Sequence, residues 1–270
     1  MRSARHQSYF LPLMGLLLGL AWIVLWTWEQ SPYGRYLNHG SFGELNLDSA
    51  ICRALEAGAF RDAVLPGLLF VFGWVLMTAA MMLPTSLPLL EIFRRLIRAR
   101  ADAKLLVALL IAGYLAVWAG FGVLAHGVYI AIYALASDGD WLVTNAWSIG
   151  AATLALAGLF QFSELKYRCL DKCRTPMSFV IERWRGRAER WNALRLGLDH
   201  GLFCVGCCWA LMLLMFVVGV GSVGWMLVLG AVMAVEKNHP WGRRLAKPLG
   251  AVLIAWAGWI VYAELSPAIL

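Results

Sequence analysis

Seven runs of apolar residues, at about 10–28, 64–83, 105–135, 141–163, 202–218, 221–236 and 247–263, constrain this chain more than any motif in it. Crossing a hydrocarbon core of about 30 Å takes roughly 20 residues of helix at 1.5 Å each. Lipid offers backbone N–H and C=O groups no partner, so runs of this kind become helices. Only 14% of the residues are charged and 61% are apolar, whereas a soluble domain carries about 25% charged residues. The expected fold is therefore all-α, a polytopic transmembrane helical bundle of about seven spans forming a single integral membrane domain over residues 1–270.

Lysine and arginine concentrate in loops that stay on the cytoplasmic side. Threading seven spans puts 20 of the 23 basic residues on one side and leaves Arg35, Arg53 and Arg61 opposite, which orients the chain with its N-terminus in and its C-terminus out. Gly219, Gly221, Ser222 and Gly224 between the fifth and sixth runs read as a tight hairpin turn, since glycine tolerates the backbone angles that turns need; one long helix through 202–236 is the competing reading. The net charge of +7 sits in short loops beside the spans, where topology and anionic headgroups account for it. The partner this implies is a lipid bilayer, not nucleic acid. Trp26, Thr27, Trp28 and Glu29 follow the first run in place of a small-residue cleavage site, so that run reads as an anchor and not a removed signal.

Two segments are expected outside the membrane. The outer loop, 29–63, carries Leu45, Leu47, Ile51, Leu55 and Phe60 among polar residues and suits a short interfacial helix. The basic cytoplasmic loop, 164–201, begins as a helical continuation of the fourth span from Gln161 through Cys173 and should stop at Thr175, because Pro176 disfavours helix at the residue before it.

The chemistry gathers at one end of this bundle. On an ideal helix His200, Cys204, Cys207, Cys208 and Leu211 fall within a stripe roughly 100° wide, and Met215 continues it. Cys169 and Cys173 are i, i+4 neighbours amid Lys166, Arg168, Lys172 and Arg174, whose positive charge favours the thiolate form. Met81 and Met82 lie near the inner end of the second span, before Pro84 and Pro88, which should kink or end it. The sixth span brings Met233, Glu236 and Lys237 to the same face. Glu236 reads either as half of a snorkelling pair with Lys237 or as a carboxylate facing the cysteines, with Lys237 or a metal as partner. The candidate metal-site residues are thus Cys204, Cys207, Cys208, His200, Cys169, Cys173, Met81, Met82, Met233 and Glu236. Thiolate and thioether sulfur select Cu(I), while cysteines with imidazole also accept zinc; copper is favoured. Buried cysteine and methionine also pack well as hydrophobes, so a plain apolar seam is the alternative.

Several of these stretches together resemble a bacterial family of predicted metal-binding integral membrane proteins of unknown function. The likeness is carried by Ala80-Met81-Met82-Leu83-Pro84-Thr85, by Lys166 to Pro176, by Gly201-Leu202-Phe203-Cys204-Val205-Gly206-Cys207-Cys208-Trp209, and by Gly224-Trp225-Met226 with Glu236-Lys237. It spans roughly 70–263 and implies metal binding by the sulfur-rich positions, in a multi-pass protein of the bacterial inner membrane. The leading expectation is a non-enzymatic protein that binds or traffics a soft metal ion, Cu(I) first, at the cytoplasmic face, with a metallochaperone or metalloenzyme as partner and homo-oligomers left open. A membrane thiol–disulfide oxidoreductase is the alternative, opposed by the reducing side on which the thiols fall and by the C-x3-C spacing of Cys169 and Cys173. A structural or assembly subunit is the third.

Overall fold

The computed structural model describes residues 10–30, 60–137, 145, 147–184, 189–218 and 222–266, and among these every regular element is helical. In chain order they are α1 (Phe10–Glu29), α2 (Phe60–Met82), a 3-10 turn (Pro84–Ser86), α3 (Leu87–Leu96), α4 (Ala103–Ser137), α5 (Trp147–Phe160), α6 (Glu164–Arg174), α7 (Pro176–Arg183), α8 (Glu189–Val218), α9 (Val223–Asn238) and α10 (Gly242–Leu265). The all-α expectation holds. Of the interfacial helix expected in the outer loop, Leu45, Leu47, Ile51 and Leu55 lie outside the described residues, and Phe60 is instead the first residue of α2.

By length and composition three helices can cross a membrane, Ala103–Val128, Glu189–Val217 and Gly242–Leu265, or five if each of two bent pairs is one span. The first bent pair runs from Phe70–Met82 into Pro84–Leu96 at 46°. Proline has no amide hydrogen and its ring collides with the carbonyl four residues back, so α2 ends at Met82. The freed Met82 carbonyl accepts from the Thr85 hydroxyl at 2.7 Å and from Ser86 at 3.4 Å, which meets the demand that a buried carbonyl be paired.

The second pair, Trp147–Phe160 into Glu164–Arg174, bends by 64°. This corrects the expectation of one helix running on through Gln161 to Cys173. Ser163 adopts an extended conformation and its side chain accepts from the Lys166 amide, capping a new helix whose first turn holds Glu164. The stop before Pro176 is as expected, with proline opening α7. The segment read as a basic loop over 164–201 is mostly helix: α6, α7 and the first three turns of α8 occupy it.

α8 is the central helix. Its apolar window is 61% buried, against 33% for α4 and 17% for α10. It packs most extensively on α4, where the two backbones meet at glycines: a Cβ on Gly197 would run into the Leu110 carbonyl, and one on Gly113 into the Leu194 carbonyl. Further along the core, the Trp74 indole donates to the Trp118 carbonyl at 3.0 Å, and both rings are fully buried. α8 and α9 are two antiparallel helices and not one, because Cys204 and Lys237, 33 residues apart, touch at 2.9 Å.

Candidate metal centre

The helical period that places His200, Cys204, Cys207 and Cys208 on one stripe of α8 turns that stripe inward, and all four side chains are buried. The Cys207 and Cys208 thiols donate to the Cys204 carbonyl at 3.1 and 2.9 Å. The thiols of Cys173, Cys204 and Cys208 lie close enough to Cys207 to act on it electrostatically. From the end of α2, Met82 brings its thioether to 3.9 Å from the Cys208 sulfur. Four cysteines and one methionine, from α2, α6 and α8, thus share one locus.

Two groups outside the candidate ligand set complete it, Lys237, which the sequence offered as a partner for Glu236, and Tyr114, which it did not single out. Lys237 sends its ammonium into the cluster, where Nζ lies 2.9 Å from Cys204 Sγ, 3.8 Å from Cys208 Sγ, 3.7 Å from Met82 Sδ and 3.4 Å from Thr85 Oγ1. Tyr114 of α4 places its hydroxyl 3.1 Å from Cys204 Sγ. A signal for Lys237 was present: it and Cys204 sit fourteen residues from either side of the break between α8 and α9, so an antiparallel hairpin must pair them.

The remaining candidates go elsewhere. Glu236 does not face the cysteines or pair with Lys237. It forms a 2.7 Å ion pair with Lys166, and both side chains are almost completely buried. The reason is helical phase, since adjacent residues project about 100° apart and only one of Glu236 and Lys237 can point at α8. Arg174 donates to the Glu236 carbonyl and, at 3.0 Å, to that of Pro240, so α6 clamps the end of α9 at two points. Cys173 is carried into the cluster by that clamp. Cys169, one turn earlier, packs against Gly206, where a Cβ would lie only 2.6 Å from its sulfur.

His200 also sits beside the cluster instead of in it. Its Nε2 is 3.1 Å from Ser86 Oγ, and its ring stacks on Tyr114 and meets Phe179 edge-on. Its Nδ1 has no hydrogen-bond partner among the described residues. Met81 packs against Gly230 of α9, and Met233 is wholly buried one turn before Lys237. Among the described residues no group of three or more His, Cys, Asp or Glu side chains is arranged so that it could hold a metal ion. The sulfurs of Cys204, Cys208 and Met82 are instead gathered round an ammonium.

Soft sulfur donors held in a dry helical interior favour a soft, low-charge ion over oxygen-seeking ones. No curated protein and no solved structure matches the chain. One family model does, over residues 71–260, a stretch that runs from α2 to α10 and contains every residue of the cluster. That model describes a copper chaperone, PpoB2, and since it covers well over half of the sequence, the chain belongs to the PpoB2 copper chaperone family.

Proposed function

We propose that this protein takes up a single Cu(I) ion as cargo on the sulfur cluster of Cys204, Cys208 and Met82, with Cys207 and Cys173 at its edge, and passes it to a protein partner. The observation that carries the reading is the 3.9 Å separation of Cys208 Sγ and Met82 Sδ beside Cys204. At thiolate–metal bonds of about 2.3 Å, two sulfurs of a three-donor site lie about 4 Å apart, so these donors need little movement to share an ion. Thiolate and thioether together favour Cu(I) over zinc.

The setting of the site is part of the proposal. The chain is a multi-pass protein of the bacterial inner membrane with about seven spans, N-terminus in and C-terminus out, which puts the cluster at the cytoplasmic face where a metallochaperone can load it. The basic residues along α6, α7 and the start of α8 support this orientation, and the apolar side chains left exposed on α10, among them Val252, Trp259 and Tyr262, support the membrane setting.

The test is the copper content of anaerobically purified, detergent-solubilised protein after Cu(I) exposure and removal of free ion. The expected result is one copper per chain, lost when Cys204, Cys207 and Cys208 are all changed to serine. Stoichiometric copper retained by that triple variant would overturn the assignment.

A further inference from the structure

The position that a bound Cu(I) ion would take among these sulfurs already holds a cation. Lys237 Nζ has Cys204 Sγ, Met82 Sδ and Cys208 Sγ at 2.9, 3.7 and 3.8 Å, with Thr85 Oγ1 at 3.4 Å. A lysine so enclosed has lost its hydration, which costs several kcal/mol unless nearby groups compensate. Packing gives no reason for it, since a leucine or methionine here would fill the space without that penalty. Nor is it held there by Glu236, whose Oε2 is paired with Lys166.

The geometry points to Lys237 as a counter-cation that exchanges with the cargo: Cu(I) enters as the ammonium swings out, and the returning ammonium helps to expel it. This rests on the reading of the cluster as a Cu(I) site and adds how the site releases what it binds. The swap replaces one positive charge by another, and the charge of the site falls by one for each thiol proton that leaves as a sulfur binds copper. No electron moves, because copper remains Cu(I). Bonds from copper to Cys204, Cys208 and Met82 form as those to the donor's ligands break, and any thiol proton passes to water or to the released ligand. Lys237 needs no change in its own protonation.

The route out is short. Lys237 is at the last turn of α9, and the next residues, Asn238, His239 and Pro240, are exposed. Rotation about the lysine stem carries the ammonium to the surface without moving the backbone, as long basic side chains do at helix ends. It stays at the helix C-terminus throughout, where positive charge is favoured. The arrangement gives a chaperone what it needs, a site that holds Cu(I) and also has a built-in competitor for it.

The experiment uses the detergent-solubilised full chain under anaerobic conditions, wild type and Lys237→Gln, with bathocuproine disulfonate as the Cu(I) competitor. The expected result for Lys237→Gln is retained stoichiometry, at least tenfold tighter Cu(I) binding and at least tenfold slower extraction. Equal or weaker binding with unchanged extraction would overturn the exchange. A second measurement needs no variant: acetylation of Lys237 by an amine-reactive ester, read by mass spectrometry, should be at least fivefold faster in Cu(I)-loaded than in metal-free wild type, and equal rates would overturn it. Failure of the wild type to bind Cu(I) at all would instead overturn the cargo assignment on which the exchange rests.

Discussion

At the scale of single residues, the two cysteines of α6 separate ligand from packing. Cys173 lies on the side of α6 that acts most strongly on the Cys207 thiol, whereas Cys169 fills the notch over Gly206. Cys173→Ser should therefore weaken Cu(I) binding by about tenfold, the low end of what a supporting group contributes to a metal site. Cys169→Ala should leave it within about twofold by the same comparison. Competition against a chromophoric chelator checks both, and equal losses would mean that α6 lies differently over α8. The Lys166–Glu236 pair belongs to this scale as well. Glu236→Gln leaves an ammonium buried without its anion, which destabilises by about 3–5 kcal/mol, while replacing both partners by apolar residues of similar size is close to neutral. Thermal unfolding of the single Glu236→Gln and double Lys166→Met/Glu236→Leu variants in detergent should show the double variant to be the more stable. The sequence placed Glu236 and Lys237 at the right end of the bundle but exchanged their roles, because periodicity alone does not say which of two neighbours faces α8.

At the scale of elements, what matters is where helices stop. The end of α2 was legible, since Pro84 and Pro88 forbid continuation and leave a carbonyl that Thr85 and Ser86 satisfy. The break before α6 was not, because the apolar run through Phe162 and Leu165 hides a Ser163 cap that only the extended conformation of that residue reveals. That break lets α6 lie across the ends of α8 and α9 and deliver Cys173. Contact between α4 and α8 depends on glycine in the same decisive way. Gly197→Ala forces a methyl group against the Leu110 carbonyl, and overpacking of this kind costs about 1–3 kcal/mol. A lower unfolding temperature for Gly197→Ala is expected, together with weaker Cu(I) binding, since the same crossing holds Tyr114 against Cys204; an unchanged unfolding temperature would show that the crossing is looser than drawn.

At the scale of the whole molecule, hydropathy foretold an all-helical bundle, and helical spacing foretold that His200, Cys204, Cys207 and Cys208 share one face of α8. Neither could supply the cross-helix pairings, which depend on how α2, α6, α8 and α9 rotate and slide against one another. Cys204 with Lys237 and Lys166 with Glu236 join residues 33 and 70 positions apart. The bundle brings the sulfur donors of three helices and the one ammonium to a common point, and the claim that this point is where Cu(I) rides is central. X-ray absorption at the copper K-edge of the anaerobic, Cu(I)-loaded full chain tests it most directly. The expected spectrum is that of Cu(I) with a shell of two to three sulfurs at about 2.3 Å, lost in the Cys204/Cys207/Cys208→Ser variant. A first shell of nitrogen or oxygen, or an unchanged sulfur shell in that variant, would contradict it.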